Sequence, residues 1–229
     1  MSDTSGVSLV CCDLASIVID ASVVERAFAE AIATQGIVTG TEAYVRSMVR
    51  FDRARGRPPS DVLLELFEGD EPRAQAASLA FDRSYRAAVE RFGVTAPPDV
   101  VAAFGKIAGS GAKTCLISAL SRGACGEILA GLRRQGLADL VLCYDDAPRG
   151  FPWPDPVLTA MLRLGAGDVR NVAVVSASES GLMSGRRAGA RIVAGIGGDA
   201  RRLAALQQAG ATHVLDNVEA LPDLVIGGA

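Results

Sequence analysis

The sequence contains very few residues of the types that most often carry metal binding or amine chemistry. It has one histidine, His213, and only two lysines, Lys106 and Lys113. The five cysteines show no C-x-x-C spacing. Because structural zinc sites are built from clustered cysteines and histidines, the sequence argues against a zinc site of that kind.

The cysteines themselves fall in apolar parts of the sequence. Cys11, Cys12, Cys115 and Cys143 lie in runs typical of strands, and Cys125 lies in a run with helical spacing. A chain of 229 residues can bury a large core and does not need disulfides to hold it together. We therefore expect buried, reduced cysteines and a cytoplasmic protein.

Long hydrophobic runs and strong charge are also missing. No segment reaches the roughly 18 uninterrupted apolar residues that a spanning helix needs, and the first residues contain no basic region. The net charge is −3, with charged residues at 21% of the chain. We therefore expect no membrane association and no nucleic-acid partner, which leaves a small-molecule ligand or a protein partner.

The most informative stretch that is present runs from Leu9 to Asp20. Its first part, Leu-Val-Cys-Cys, predicts a buried strand of a parallel sheet, and this strand ends at Asp13. Ligands of open α/β sheets bind at the carboxyl ends of strands. Asp13 is therefore placed as a nucleophilic aspartate would be, or it only caps the following turn.

The rest of the chain divides into two parts with different periodicity. Residues 20–95 show helical spacing throughout and predict an all-α insert of three or four helices. From Pro97 onward, strands near residues 113–118, 140–144, 172–176, 190–194 and 213–215 alternate with helices. The pattern predicts a doubly wound parallel α/β sheet, with a core domain at 1–19 and 96–229 and a helical cap domain at 20–95 inserted after the first strand.

Several motifs resemble those of the haloacid dehalogenase superfamily, and the phosphonatase-like branch most of all. The stretch from Asp13 to Asp20 is similar to that branch's first motif, D-x-A-G-T-T-V-D, with Asp13 as the nucleophile. Ser118 matches the second motif, a hydroxyl residue that binds the phosphoryl group. The segment from Asp145 to Asp155 looks like the branch's D-D-x-x-x-G-R-P-x-P-D. The resemblance implies the superfamily's Rossmann-like core, with the helical insert as its cap.

This sequence departs from the family at the positions that handle charge. The third motif requires a lysine or arginine, and the aligned residue is Phe151, with Arg149 two residues earlier. The two Mg²⁺-binding acids of the fourth motif correspond to Ala177 and Gly181. Phosphonatases also need a cap lysine for their Schiff base, and residues 20–95 contain none. The resemblance therefore predicts a lost Mg²⁺ site and no cofactor.

Two hypotheses about function follow, and they leave open whether the protein is an enzyme. In the first, it is a degenerate or repurposed scaffold without ordinary Mg²⁺-dependent phosphatase activity. In the second, it is a metal-independent hydrolase or lyase in which Asp13 is the nucleophile or acid/base on a small organic acid. The predicted catalytic residues are Asp13, Ser118 and Arg149.

The second hypothesis also predicts an apolar site. The pocket would be lined by Ile17, Val18, Phe151 and Trp153, and such surroundings would raise the pKa of Asp13.

Three further alternatives stay open at this point. Glu179, Asp145 or Asp146 would replace the missing acids in an unconventional phosphatase. The cluster Arg53, Arg55 and Arg57 is either a solvated loop or, if it faces the cleft, an anion site. The resemblance also implies a homodimer formed through the caps.

Overall fold

The computed structural model describes residues 6–17, 21–92, 96–197 and 200–227. Within these residues the first strand, β1, is followed by five α-helices in succession before β2, and helices then alternate with strands. The elements in order are β1 (Leu9–Asp13), α1 (Ala21–Ala33), α2 (Glu42–Arg53), α3 (Pro59–Leu66), α4 (Glu71–Phe92), α5 (Pro98–Gly109), β2 (Lys113–Ile117), α6 (Arg122–Arg134), β3 (Leu140–Leu142), α7 (Asp155–Leu164), β4 (Val172–Ser176), α8 (Glu179–Ala188), β5 (Ile192–Ile196), α9 (Ala200–Gln208), β6 (His213–Leu215) and α10 (Leu221–Gly227).

The six strands of the described residues form one parallel sheet in the order β3-β2-β1-β4-β5-β6. This confirms the predicted doubly wound α/β fold. The strand order reverses between β1 and β4, which makes their carboxyl ends the topological switch point where such sheets bind ligands. Asp13 ends β1 and Ser176 ends β4, so both lie at this point.

The first strand is central because its side chains are apolar on both faces. Leu9, Val10, Cys11 and Cys12 are all fully buried. Successive side chains of a strand point to opposite faces. Val10 and Cys12 accordingly join the hydrophobic cluster that includes the helical insert, whereas Leu9 and Cys11 join the cluster beneath α7 and α8.

The helical insert, α1 to α4, lies in the chain between β1 and α5, as its periodicity predicts. Phe28 of α1 stacks on Phe51 of α2, with 4.0 Å between ring centroids. Phe81 of α4 belongs to the same buried cluster as Ile128 of α6, so insert and sheet helices share one core. The predicted domain boundaries stay a prediction, as does the homodimer. Among the helices within the described ranges, none has the combined length and apolar character that crossing a bilayer requires.

Candidate functional site

Asp13 lies where β1 turns into a single 3-10 turn, Leu14–Ser16. Its Oδ1 atom accepts a hydrogen bond from the Ala15 amide at 3.1 Å, which caps this turn. A short carboxylate suits this position because it reaches the backbone two residues ahead. The capping role and a chemical role are therefore compatible, since this bond occupies only part of the acceptor capacity of the carboxylate.

Two serines at the end of β4 hold the other oxygen of Asp13. Ser176 Oγ donates to Asp13 Oδ2 at 2.8 Å, and Ser178 Oγ lies 3.3 Å from the same oxygen. Ser178 also caps α8, because its hydroxyl accepts from the Gly181 amide at 3.1 Å. We call Ser176 and Ser178 the serine pair.

These contacts set the protonation behaviour of Asp13. The side chain is 3% exposed, and burial raises the pKa of its carboxyl. The hydrogen bonds from Ser176, Ala15 and Ser178 act in the opposite direction, but burial dominates. A raised pKa was expected from an apolar site. The apolar residues that line the pocket, however, differ from those that were predicted.

Ser118 follows β2 and lies in the same pocket as Asp13. Its hydroxyl accepts from the Leu120 amide at 3.0 Å and is hydrogen-bonded to the Cys125 thiol at 3.2 Å. A hydrogen bond with Cys143 lowers the pKa of the Cys125 thiol, although burial opposes this. The sheet therefore brings two of the three predicted catalytic residues together.

The pocket has a volume of about 200 Å³ and lies between the carboxyl ends of the strands and the helical insert. Its walls are more apolar than polar. The core contributes Asp13, Ala15, Ser118, Leu120, Ala177 and Arg202, among others. The insert contributes Val24, Glu25, Phe51, Asp52, Arg55 and Arg57, among others. A volume below about 300 Å³ favours a small ligand of few heavy atoms.

The loop after α2 closes one side of the pocket by contacting the serine pair. Gly56 has φ +81°, and a Cβ atom there would lie 2.2 Å from Ser178 Oγ. Ser180 Oγ donates to the Arg55 carbonyl at 2.6 Å. Only glycine permits both this backbone conformation and this close approach.

The arginines of this loop face the pocket but already have acidic partners. Arg55 forms ion pairs with Glu25 at 2.7 Å and Asp52 at 2.6 Å. Arg57 is paired with Glu65. The third member of the predicted cluster, Arg53, is not among the described lining residues.

Arg149 does not converge with Asp13 and Ser118. It is not among the described pocket-lining residues, and its guanidinium forms two hydrogen bonds with Asp155, at 3.0 and 2.9 Å. It also stacks on Trp153, 4.2 Å from the ring centroid. The two-residue offset from the motif position therefore points this arginine to the surface.

The predicted apolar lining is placed elsewhere as well. Phe151 is buried in the cluster beneath α7 and α8, and Trp153 is on the surface. Ile17 packs in the other cluster, and neither it nor Phe151 nor Trp153 lines the pocket. Val18 and Asp20 lie outside the described residues. The apolar walls come instead from residues such as Val24, Phe51 and Leu120, which only tertiary packing brings to Asp13.

None of the acids that were considered as replacements lines the pocket. Glu179 is exposed in the first turn of α8. Asp145 accepts from the Arg122 amide, and Asp146 pairs with the Arg122 guanidinium. Cys143, Asp145 and Asp146 are close enough to form a small metal-ligand group, but none of them lines the pocket.

A Mg²⁺ ion of the kind that the family resemblance implies does not fit the residues at this site. Mg²⁺ needs several hard oxygen acceptors in octahedral order. The serine hydroxyls donate to Asp13, and positions 177 and 181 carry no carboxylate. A Cβ atom at Gly181 would lie 2.2 Å from Ser176 Oγ, so this position has no room for an acid while Ser176 is present. The remaining carboxylates of the described lining, Glu25 and Asp52, are paired with Arg55.

Sequence reasoning did not point to several of the pocket residues, and Arg202 is one of them. Arg202 of α9 lines the pocket and donates from Nη2 to the Ala177 carbonyl. No motif marks it, because it lies after the last strand that the resemblance assigns to catalysis. The serine pair was visible in the sequence, but its contact with Asp13 depends on strand pairing across 163 residues.

No family model matches the chain. Curated phosphonoacetaldehyde hydrolases match part of it. The protein from Pseudomonas paraeruginosa is 32% identical over 98 residues, which cover 42% of this chain and 36% of that protein. The protein from Pseudomonas fluorescens is 40% identical over 58 residues, which cover 25% of this chain and 21% of that protein. The match thus spans little more than a third of the curated relatives' length.

Solved structures match nearly the whole chain. A hydrolase from Pseudomonas syringae has a TM-score of 0.76 at 19% identity, covering 95% of this chain and 97% of that one. A phosphonoacetaldehyde hydrolase-like protein from Oleispira antarctica has a TM-score of 0.73 at 18% identity, with 97% and 92% covered. A putative haloacid dehalogenase-like hydrolase from Bacteroides fragilis has a TM-score of 0.74 at 16% identity, with 93% and 99% covered. At these identities the likeness shows the fold.

Proposed function

We propose that this chain, which has the fold of the haloacid dehalogenase-like hydrolases, is a repurposed member that acts on a small organic anion without a metal ion. Asp13 is the reacting group in this proposal. The observation that carries it is the serine pair, whose hydroxyls bind Asp13 Oδ2 directly. Neutral hydroxyl donors orient the carboxylate here, which is a task that a metal ion performs in Mg²⁺-dependent enzymes.

The charge around the pocket argues against ordinary phosphoryl transfer. The described lining contains three carboxylates, Asp13, Glu25 and Asp52, and three guanidinium groups, Arg55, Arg57 and Arg202. These charges balance, so the walls offer no excess positive charge to a phosphate dianion facing Asp13. Catalysis of phosphoryl transfer depends almost entirely on positioning together with such charge stabilisation.

The residues also argue against phosphonoacetaldehyde hydrolysis, the activity named for the curated relatives. The expected Schiff base needs a lysine amine next to the substrate carbonyl. The chain has only Lys106 and Lys113, and neither is among the described residues that line the pocket.

Asp13 retains an oxygen suited to nucleophilic attack. Oδ2 takes the serine contacts, whereas Oδ1 accepts from Ala15. A carboxylate has about four acceptor sites, so Oδ1 keeps a lone pair for a reacting carbon. In the proposed step this oxygen bonds to carbon, the leaving group departs with its electron pair, and water then hydrolyses the ester to release the alcohol and a proton.

The raised pKa of Asp13 favours a second role, acid/base catalysis, in which no ester forms. A single turnover in ¹⁸O-labelled water separates the two roles. Label enters the Asp13 carboxylate only when the ester is hydrolysed at that group. Peptide mass spectrometry of residues around Asp13 is the measurement.

The proposed function is tested with a panel of phosphate esters and 2-chloropropionate, each assayed with Mg²⁺ and with EDTA. Asp13→Asn is the control variant. Turnover that is insensitive to EDTA and lost in Asp13→Asn would support the proposal. Turnover that requires Mg²⁺ and is lost in the same variant would overturn it.

Binding without catalysis is the second candidate function, and the near-complete burial of Asp13 favours it. Silence across the panel, together with ligand binding that survives in Asp13→Asn, would replace the enzymatic proposal with this one.

A further inference from the structure

We propose that a surface pocket on the insert helix α4 binds a small phosphate monoester through Arg83 and Arg86. We call this site the α4 pocket. It is distinct from the pocket over Asp13, because the two have no described lining residue in common. The inference therefore goes beyond the proposed function and does not depend on it.

The α4 pocket has a volume of about 450 Å³, which is within the usual range for a small-molecule site. One face of α4 provides most of its lining, since residues three and four positions apart are neighbours on a helix surface. Its described lining consists of Ala76, Leu79, Asp82, Arg83 and Arg86 of α4, together with Gly123 near the start of α6. The pocket thus places two guanidinium groups next to a short apolar surface.

The two guanidinium groups of the α4 pocket are not neutralised by the protein. Among the described residues, neither Arg83 nor Arg86 forms a hydrogen bond or an ion pair. Arg55 and Arg57 of the other pocket differ in this respect, since both have acidic partners. Like charges that are neighbours on a helix destabilise it. A bound anion would remove this repulsion between Arg83 and Arg86.

The single carboxylate of the described lining is held by another group. Asp82 precedes Arg86 by four residues, which is the spacing of a stabilising ion pair on a helix. Its Oδ2 atom instead accepts a hydrogen bond from Ser121 Oγ at 2.6 Å. Burial raises the pKa of Asp82, and the Ser121 hydrogen bond and the charge of Arg86 oppose this only in part. The described lining therefore has one positive charge in excess, whereas the charges around Asp13 balance.

The ligand class follows from the number of donors and from the apolar wall. A guanidinium donates two parallel hydrogen bonds, so two of them can use more acceptor oxygens than one carboxylate offers. A phosphate monoester supplies three terminal oxygens and close to two negative charges. Leu79 is 58% exposed and, with Ala76, provides an apolar surface for a short organic substituent. These features together favour a small phosphate monoester.

Gly123 keeps the α6 end of the pocket free of a side chain. A Cβ atom there would lie 3.6 Å from Ser121 Oγ and 3.7 Å from Asp82 Oδ2, which are ordinary contact distances. A side chain at this position would therefore fit without a clash at its Cβ atom and would occupy space in the pocket. Gly123→Leu consequently fills the pocket while every charge of the lining is kept.

Phenylphosphonate is the probe, because it carries a dianion and an apolar ring but no ester bond that Asp13 could hydrolyse. Its binding to the wild-type protein is measured by isothermal titration calorimetry at pH 8, with inorganic phosphate and succinate for comparison. Arg83→Gln, Arg86→Gln and Gly123→Leu are the test variants. Arg26→Gln is the matched control, because Arg26 is an exposed arginine of α1 that lines neither pocket. Thermal unfolding verifies that each variant is folded.

We expect the wild-type protein and Arg26→Gln to bind phenylphosphonate equally. Arg83→Gln and Arg86→Gln should each weaken this binding by roughly tenfold, because each change removes a charged hydrogen-bond donor. Gly123→Leu should weaken it as well, since the side chain takes up space that the ligand needs. Leu79→Ala should weaken phenylphosphonate binding by roughly threefold and leave inorganic phosphate unaffected, because only the apolar contact is reduced.

Four results would overturn the inference. The first is the absence of phenylphosphonate binding to the wild-type protein. The second is an affinity that is unchanged in both Arg83→Gln and Arg86→Gln, which would make the two arginines solvated surface charges only. The third is loss of binding in Asp13→Asn, which would place the ligand in the other pocket. The fourth is tighter binding of succinate than of phosphate, which would contradict the ligand class.

The proposed function is tested separately, by turnover at Asp13 with Mg²⁺ and with EDTA. Because Arg83 and Arg86 do not line the pocket over Asp13, their variants should leave any such turnover unchanged when no phosphate monoester is added. Each of the two proposals can therefore fail while the other stands.

Discussion

Asp13 combines a buried carboxylate with hydrogen-bond donors that do not fully offset its burial. Because its folded-state pKa is raised above the ordinary value of 3.8, the folded chain holds a proton that the unfolded chain has already lost. The free energy of unfolding therefore falls as the pH rises from about 3.8 through the folded-state pKa. An ionised Asp13 carboxylate therefore lowers the stability of the folded chain, which is common for reacting groups.

Asp13→Asn should consequently increase stability while abolishing any turnover. We expect the free energy of unfolding at pH 7 to rise by about 1 kcal/mol, which corresponds to roughly 2–4 °C in Tm for a chain of this size. The gain should shrink as the pH falls, because the wild-type carboxyl takes up a proton and no longer buries a charge. Thermal unfolding of both proteins from pH 4 to pH 8 is the measurement. A difference that is constant with pH would contradict the assignment of burial as the dominant effect.

Gly181 is a second example at the residue scale. It occupies a position aligned with a Mg²⁺-binding acid, and its packing leaves no room for a side chain there. A Cβ atom there would meet Ser176 Oγ, so the glycine and the serine depend on each other. We expect Gly181→Ala to cost roughly 1–3 kcal/mol through overpacking, even though alanine is the better helix former. Ser176→Gly should relieve this clash, so the double variant should be more stable than the two single changes add up to.

Chemical denaturation of the four proteins in this cycle measures the coupling between positions 176 and 181. Helix propensity alone would make Gly181→Ala at least as stable as wild type. That result would mean that the contact with Ser176 does not affect stability.

At the scale of elements, the loop between α2 and α3 connects the insert to the serine pair. The Ser180 hydroxyl binds the Arg55 carbonyl, and Gly56 lies against Ser178. Because the loop contacts both Ser178 and Ser180, it forms a fixed wall of the pocket. Its arginines do not contribute to this contact, since they pair with acids of the insert. The insert is therefore part of the site through its backbone as well as its side chains.

Gly56→Ala tests this contact against a control with nearly the same backbone conformation. Gly36 has φ +84° and nothing within 4 Å of an added Cβ atom. We expect Gly36→Ala to cost about 1–2 kcal/mol from the left-handed conformation alone. Gly56→Ala should cost roughly 1–3 kcal/mol more, because its methyl group overlaps Ser178. Guanidinium denaturation measures both, and equal losses would mean that the loop does not press on the serine pair.

At the scale of the whole molecule, the insert and the sheet share one hydrophobic cluster. Phe81 of α4 is 2% exposed and belongs to the cluster that also contains Val10 of the central strand. Parts that share a core lose their packing together, so we expect one cooperative unfolding transition.

Phe81→Ala should lower the stability of the whole protein by about 3–5 kcal/mol. Trp153 is the single tryptophan and lies outside the insert, so its fluorescence reports on the α/β core. The Trp153 and far-ultraviolet dichroism transitions should shift to lower temperature together. Leu79→Ala on the same helix is the control, because Leu79 is 58% exposed and should change stability by less than about 0.5 kcal/mol. Separate transitions would show that the insert unfolds independently.

Much of the architecture was predictable because it depends on local patterns. Apolar runs and helical spacing predicted the order of strands and helices, and the end of an apolar run placed Asp13 at a strand terminus. The parallel sheet followed from strand and helix alternation. The sequence alone also determined what the site lacks, namely acids at positions 177 and 181 and a lysine between residues 20 and 95.

Only the tertiary structure decided which groups surround Asp13. Ser176 meets Asp13 because their strands pair across 163 residues, and Arg202 reaches the pocket because Gly197 lets its stem pass. Arg149, which the sequence offered as a substitute two residues before the motif position, instead pairs with Asp155 at the surface. Strand ends and periodicity are properties of neighbouring residues, whereas side-chain direction and pairing depend on how distant elements pack. The sequence therefore determined the scaffold and the missing charges, and packing decided which groups lie around Asp13.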